Sequence, residues 1–193
     1  ATDAGQYSET EGNQHDASVI AGAEGTGAEA FDPQMFADVD VIIYVGGLSP
    51  KLEGEEMKVD YKGFRGGDRT SIELPETQRE YIAKLAGLDK PLVFVHPSGS
   101  VVALAPEAEN CDAILQAWYG GQAGGEAVAD VLFGDYNPAG RLPVTFYASD
   151  ADLPHFNDYN MEGHTYRYFK GQPLFPFGHG LSYTTFEYGD AQV

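Results

Sequence analysis

The sequence has 193 residues, of which 42% are hydrophobic, so it is long enough to bury the core of one domain. It carries 30 acidic and 11 basic residues, and the resulting formal net charge of −19 argues against binding to nucleic acid or to an anionic membrane surface. No apolar run approaches the length of a membrane span. The first residues lack the regions of a signal peptide, although a processed chain would look the same.

Residues 1–35 are small, polar and acidic, and they contain no lysine or arginine. They show no helical or strand period, which predicts a loosely ordered segment. Residues 25–30 match the GxGxxA pattern of dinucleotide-binding loops, but neither the preceding strand nor the following helix that the pattern requires is predicted. Nucleotide binding is therefore a weak hypothesis.

The chain from residue 36 onward alternates between two kinds of apolar pattern. Short apolar runs predict buried strands at 39–45, 90–96, 113–119 and 141–146. Helices are predicted at 74–88 and at 127–133, where Gly134 caps the second. Strands that alternate with helices indicate an α/β fold with a mainly parallel sheet. After residue 150 the tail is rich in aromatic residues, and these must pack on this domain or on a neighbouring one.

The loop at 53–69 follows the first predicted strand and is rich in glycine and carboxylates. Ligands of open α/β sheets bind in loops outside the carboxyl ends of the strands, and a loop of this length is usually functional. Glycoside hydrolysis requires a pair of carboxylates that flank the sugar, which makes Glu53, Glu55 and Glu56 candidates for an acid/base group. The alternative is that this loop is simply a solvated acidic surface.

Other motifs are weaker. The glycines at 120–125 lack the Lys-Ser/Thr of a phosphate-binding loop, so close packing of helix and strand is the better interpretation. The five histidines show no ligand spacing, and we predict neither a metal nor a cofactor. Cys111, the one cysteine, is expected to be a small buried hydrophobe. The aromatic residues Trp118, Tyr119, Tyr166 and Tyr168 are candidates either for stacking on sugars or for the core.

Four motifs in consistent order carry a family resemblance. They are Glu53-Gly-Glu followed by Gly-Gly-Asp68-Arg69, the segments 113–146 and 173–186, and Thr165-Tyr-Arg-Tyr-Phe169. Together they resemble the C-terminal α/β-sandwich domain of family 3 glycoside hydrolases, which include retaining β-glucosidases and β-xylosidases. The resemblance covers about residues 36–188 and leaves 189–193 as a tail that leads toward a missing domain. It implies a three-layer α/β/α sandwich with a mostly parallel, roughly six-stranded sheet.

The resemblance also implies a divided active site. In the family, this domain lends a loop with the acid/base glutamate to a (β/α)8-type barrel domain, which carries an aspartate nucleophile. The matching positions make Glu53 the expected acid/base and Glu55 the second choice, with Asp68 and Arg69 as substrate-binding residues. No segment of this sequence matches the barrel, so we expect a half-site that is inactive in isolation.

The parent protein is thus expected to be a retaining, exo-acting β-glycosidase for β-linked glucosides or xylosides. Its expected partners are such a substrate and the N-terminal barrel domain of the same protein. The family suggests a periplasmic or secreted location, with a cytoplasmic one as the alternative. The competing hypothesis is a non-catalytic α/β sandwich domain with a structural or carbohydrate-binding role.

Overall fold

The structure, a computed structural model, describes residues 31–191 and the backbone of residues 17–21. The dinucleotide-type pattern at 25–30 and most of the segment 1–35 therefore lie outside the described residues. The strands are β1 (Ala17–Ala21), β2 (Val41–Val45), β3 (Phe64–Arg65), β4 (Asp68–Arg69), β5 (Leu92–His96) and β6 (Ala113–Gln116). The α-helices are α1 (Pro50–Glu53), α2 (Glu76–Ala86), α3 (Ala105–Asn110), α4 (Gly124–Phe133) and α5 (Thr165–Tyr168). Two 3-10 turns lie at Pro33–Phe36 and Asp150–Asp152.

The main sheet has four strands in the order β1-β2-β5-β6, and each neighbouring pair is parallel. The register pairs Tyr44 with Phe94 in the centre and His96 with Gln116 at the carboxyl edge. Because parallel strands end at the same edge, the loops after β2, β5 and β6 meet there. A mixed α/β fold with a parallel sheet is confirmed, whereas six strands and three layers stay predictions.

The core lies around the two central strands. Strands that are covered on both faces consist of nearly continuous apolar residues, and β2 and β5 have this character. The helix α2 adds Ile82 and Leu85, which are both fully buried. Gln78, also on α2, donates from Nε2 to the Gly47 carbonyl at 2.8 Å, which ties this helix to the loop after β2. The core therefore fixes the base of the loop that contains Glu53.

The long loop contains a small antiparallel ribbon, β3-β4. Its two-residue turn consists of Gly66 and Gly67, with φ angles of 64° and 93°. A type I′ hairpin turn requires positive φ at both central residues, which glycine adopts without strain. The hairpin places Arg69 opposite Phe64 and turns the chain back toward the sheet.

One predicted strand is absent, and another is shorter than predicted. The run 141–146 forms no strand: Pro143 has no N–H to contribute to a ladder, and the Leu142 N–H donates instead to the His179 carbonyl at 2.8 Å. Only an isolated bridge between Phe146 and Phe175 remains there. The run 113–119 ends as a strand at Gln116, because the backbone turns before residue 119.

The N-terminal segment differs from the sequence interpretation at one point. No strand period was apparent in residues 1–35, yet β1 lies within them and pairs with all five residues of β2. The pairing with β2, rather than a period in its own short sequence, defines this strand. The division of the chain at residue 36 stays a prediction.

Candidate active site

Glu53 is placed by a one-turn helix that begins shortly after β2. Ser49 accepts a hydrogen bond from the Leu52 N–H at 3.1 Å, and Pro50 occupies the first turn, so the local sequence sets the helix start. Gly54 ends the helix with a left-handed φ of 67°. A Cβ at this position would lie 2.1 Å from Val59, so both the conformation and the space require glycine.

Both carboxylate oxygens of Glu53 accept a hydrogen bond from a hydroxyl group. Ser100 Oγ donates to Oε1 at 2.8 Å, and the Tyr119 hydroxyl donates to Oε2 at 2.8 Å. Ser100 follows β5 and Tyr119 follows β6, so three adjacent parallel strands deliver the three side chains to one edge of the sheet. The arrangement holds the carboxylate in one orientation while its side chain stays half-exposed.

The contact between Glu53 and Tyr119 leaves no space beside Gly99. A Cβ at this position would lie 2.6 Å from Glu53 Oε2 and 2.6 Å from the Tyr119 ring. No real Cβ atom is this close to its neighbours, so a side chain here would push these two groups apart. The glycine is required by the close approach of the backbone to the site.

Arg69 contacts the site through a hydrogen bond to Ser100. Its Nη1 donates to Ser100 Oγ at 2.9 Å and to the Val101 carbonyl at 2.7 Å, and its Nε donates to the Ser71 carbonyl at 3.2 Å. Burial lowers the pKa of Arg69, and the nearby Glu53 carboxylate opposes this shift. Arg69 therefore reaches Glu53 through the Ser100 hydroxyl.

A buried polar chain lies beneath the site. His96 is fully buried, and its Nδ1 lies 2.6 Å from Gln116 Oε1. Gln116 Nε2 donates to Ser98 Oγ at 3.0 Å, and that hydroxyl donates to the Ser100 carbonyl at 2.9 Å. Burial lowers the pKa of His96 to about 4, against the opposing hydrogen bond with Gln116, so the neutral ring donates from Nδ1. These bonds fix the backbone that carries Ser100.

Tyr119 remains a hydrogen-bond donor at ordinary pH. Burial, followed by the hydrogen bond to the Glu53 carboxylate, raises the pKa of its hydroxyl. The side chain is nevertheless 39% exposed, so its hydroxyl lies at the rim of the site rather than in the core.

The predicted site residues do not all come together. Glu53 and Arg69 are joined through Ser100, whereas Glu55, Glu56 and Asp68 are exposed on the loop and its ribbon. The sequence interpretation missed the roles of Ser100 and Gly99, and it considered Tyr119 only for stacking or for the core. A signal existed, since Gly99 and Ser100 come shortly after the predicted strand at 90–96 and Tyr119 is the last residue of the predicted strand at 113–119, at the edge where ligands of α/β sheets bind.

An aromatic cavity is lined mainly by residues of the C-terminal tail. Its volume is about 260 Å³, and its lining includes Tyr166, Phe169, Phe177 and the buried Thr145. Tyr166 stacks on Phe177 with ring centroids 4.6 Å apart. Two of the aromatic residues considered for sugar stacking therefore have different surroundings: Tyr166 lines this cavity, and Trp118 packs edge-on against Phe146.

The described part of the chain contains neither a metal-binding cluster nor a membrane-crossing helix. Within residues 31–191, no three His, Cys, Asp or Glu side chains are grouped as a metal site requires. No helix in the described part of the chain has the length and apolarity that a membrane crossing requires.

Comparison with known proteins identifies one family. The sequence model of one family, the glycosyl hydrolase family 3 C-terminal domain, matches residues 4–183. This match begins before residue 36, where the domain was expected to start. The chain is 61% identical over 155 residues to a xylan 1,4-beta-xylosidase of Xylanibacter ruminicola, covering 80% of the chain and 18% of that protein. It is 42% identical over 172 residues to a periplasmic beta-glucosidase of Salmonella typhimurium, covering 83% of the chain and 21% of that protein.

Solved structures give the same result. A GH3 exo-beta-xylosidase, XlnD, in complex with a xylobiose aziridine activity-based probe, has a TM-score of 0.67 at 34% identity. This similarity covers 79% of the chain and 20% of that structure. A beta-glucosidase from Erythrobacter marinus has a TM-score of 0.65 at 40% identity, over 81% of the chain and 21% of the structure. The chain thus spans about a fifth of the length of these relatives.

Proposed function

The chain belongs to glycosyl hydrolase family 3, as a C-terminal domain, and on that premise we propose that it supplies the general acid/base Glu53 to a retaining, exo-acting β-glycosidase. The proposed substrates are β-linked glucosides or xylosides, because relatives are named beta-glucosidase and beta-xylosidase. The remainder of the site is proposed to come from an N-terminal barrel domain of the same protein. The tail leaves the large side chains of Phe156, Tyr159 and Tyr188 exposed, and they are available for contact with another domain.

The proposed chemistry has two steps. A carboxylate of the barrel domain attacks the anomeric carbon, the bond from that carbon to the glycosidic oxygen breaks, and Glu53 gives its proton to the departing oxygen. Water then attacks the same carbon, the bond to the nucleophile breaks, and the Glu53 carboxylate takes a proton from the water. The cycle restores both carboxyl groups and consumes one water molecule.

The observation that carries this proposal is the orientation of the Glu53 carboxylate by two hydroxyl donors at the carboxyl edge of the sheet. An acid/base must be held within hydrogen-bonding reach of the atom that it protonates. Of the three candidate glutamates, Glu53 is half-buried against these donors, whereas Glu55 and Glu56 are exposed. A direct substrate contact of Asp68 or Arg69 stays a prediction.

The test is the variant Glu53→Ala in the full-length protein, assayed with an activated aryl β-glycoside. We expect turnover to fall by roughly 10²–10⁴-fold, because the water that attacks in the second step loses its base. Azide should restore turnover and yield a glycosyl azide, since this nucleophile needs no base. The measurements are the rate of aryl release with and without azide, and identification of the product.

The matched controls for this test are Glu55→Ala and Glu56→Ala, which we expect to keep near-normal turnover without azide. Normal turnover of Glu53→Ala, together with azide-dependent turnover of Glu55→Ala, would move the role to Glu55. Normal turnover of all three variants would contradict an acid/base function for this loop.

The second candidate function is a non-catalytic domain that binds carbohydrate. The aromatic cavity favours it, because aromatic rings such as those of Tyr166 and Phe177 are suitable for stacking on sugars. Calorimetry of xylo- and gluco-oligosaccharides with the chain discriminates the two functions. Binding that Tyr166→Ala removes, together with normal turnover of the Glu53→Ala parent, would favour this alternative.

A periplasmic or secreted location is also part of the proposal. One relative is named a periplasmic beta-glucosidase, and this name supports the location. Fractionation of the source cells, with the full-length protein followed by antibody, tests it.

A further inference from the structure

We propose that Ser100 and Tyr119 are positioning residues that hold Glu53 and direct the proton of its acid form to Oε2. This inference rests on the proposed function and deepens it, because it assigns the transferred proton to one oxygen atom. Both residues act through the carboxyl group of Glu53, to which they are hydrogen-bonded.

The direction of the Ser100 hydroxyl follows from its two partners. Arg69 carries only donors, so Ser100 Oγ must accept the hydrogen bond from Nη1 at 2.9 Å. The proton of that hydroxyl then points to Glu53 Oε1 at 2.8 Å. Oε1 therefore accepts this donor, and a proton on Oε1 would remove the acceptor that the Ser100 proton has in the structure.

Arg69 cannot easily change this arrangement. The same Nη1 also donates to the Val101 carbonyl at 2.7 Å, and Nε donates to the Ser71 carbonyl at 3.2 Å. Two backbone oxygens thus fix the guanidinium, and the β3-β4 ribbon holds the arginine in place. The donor that faces Ser100 is therefore a permanent feature of the site.

Tyr119, the partner of Oε2, can either donate or accept a hydrogen bond, whereas Ser100 acts as a donor to Glu53. A phenol hydroxyl both donates and accepts, and the Tyr119 hydroxyl lies 2.8 Å from Oε2. It donates when Glu53 is a carboxylate, and after rotation it accepts from the neutral acid. The dissociable proton therefore resides on Oε2, the oxygen that faces the exposed residue Tyr119.

The backbone orients Tyr119 through a strained residue. Trp118 has a left-handed φ of 54°, and its ring packs edge-on against the buried Phe146 at 6.2 Å. A non-glycine residue in such a conformation is strained and persists where its surroundings require it. This turn ends the run of β6 and directs the next side chain toward Glu53.

The experiment uses Tyr119→Phe and Ser100→Ala in the full-length protein with two aryl β-glycosides. One carries 2,4-dinitrophenol, which leaves without protonation, and the other carries phenol, which needs the acid. We expect kcat for the phenyl glycoside to fall by ~10-fold or more in each variant, because this substrate needs the acid. The rate of bond cleavage in the dinitrophenyl glycoside, measured as the presteady-state burst, should change by less than ~2-fold. The matched control is Tyr61→Phe, which removes a hydroxyl that bonds to Thr77 at 3.2 Å, outside the Glu53 contacts.

The outcomes separate this inference from the function on which it rests. If Glu53→Ala abolishes phenyl glycoside turnover while Tyr119→Phe and Ser100→Ala keep it, the positioning role is overturned and the acid/base role stands. An equal loss on both substrates in the two variants would also overturn it, because a merely structural defect affects both. Normal activity of Glu53→Ala would remove the proposed function itself.

Infrared difference spectra on acidification test the proton assignment. The carbonyl band of neutral Glu53, assigned by its disappearance in Glu53→Gln, arises from the oxygen that bears no proton. A lost hydrogen bond raises the frequency of such a band, so Ser100→Ala should shift it upward more than Tyr119→Phe does. The reverse order would place the proton on Oε1 and overturn the assignment.

Discussion

Single residues at the carboxyl edge of the sheet account for the geometry of the candidate site. Gly99 permits the approach of Tyr119 to Glu53, and Arg69 determines the direction of the Ser100 hydroxyl. Beneath them, His96 is buried as a neutral ring that donates to Gln116. Each of these residues acts through its neighbour, so the effect of a substitution depends on the group that it leaves without a partner.

His96 makes the stability of the protein depend on pH. Burial depresses its pKa in the folded state from 6.5 to about 4, with a smaller contribution of the same sign from Arg69. Below pH 6.5 the unfolded chain binds a proton that the folded chain does not, so the free energy of unfolding falls until the pH reaches about 4. Between pH 7 and 4.5, we expect the free energy of unfolding of His96→Gln to fall by about 2 kcal/mol less than that of the wild type.

Urea denaturation of both proteins at the two pH values measures this difference. The many acidic residues titrate in the same range, but they are common to both proteins and cancel in the comparison. An equal loss of stability in the wild type and in His96→Gln would show that His96 is not buried as a neutral ring.

At the scale of elements, α2 and α3 are joined by an ion network. Arg79 on α2 donates from Nε to Glu107 on α3 at 2.9 Å and from Nη1 to Glu73 at 2.8 Å. The Glu107 side chain has no exposed surface. Its charge therefore depends on Arg79 for compensation, in contrast to the exposed pair of Lys62 and Glu76.

Arg79→Met removes the partner of a buried carboxylate, and we expect it to lower the free energy of unfolding by about 3 kcal/mol or more. Lys62→Met removes a lysine from an exposed pair of similar length, and we expect a much smaller change than for Arg79→Met, because solvent screens this pair. Urea denaturation at pH 7 measures both. Similar small effects of the two substitutions would contradict the burial of Glu107.

At the scale of the whole molecule, the candidate site is open on one side. Glu53 lies at the sheet edge and is half-exposed, and the chain spans only 18% and 21% of two relatives. Glycoside hydrolysis requires a second carboxylate on the other side of the sugar. We have proposed that another domain supplies it.

The purified chain of 193 residues should therefore not hydrolyse aryl β-glycosides, whereas the full-length protein should. The measurement is aryl release by equal molar amounts of the two, with circular dichroism to confirm that the short chain is folded. Turnover by the pure chain that disappears in its Glu53→Ala variant would contradict the divided site.

Much of the fold was predictable because local patterns carry it. The apolar runs at 39–45 and 90–96 predicted β2 and β5 within two residues, and the apolar stripe of 74–88 predicted α2. Pro143 was the local signal against a strand at 141–146, and the sequence interpretation underestimated it. In contrast, β1 is defined by its pairing with β2, and no local period indicates a strand of this kind.

The sequence by itself determined the family motifs, the parallel α/β class and Glu53 as the leading candidate, because these depend on residues that are close together in the chain. Only the tertiary structure decided which hydroxyl groups hold Glu53. Ser100 and Tyr119 lie 47 and 66 positions away from it, and they meet it because β2, β5 and β6 are neighbours in the sheet. The order of strands is a long-range property that results from burial of the whole core, so no local pattern can express it.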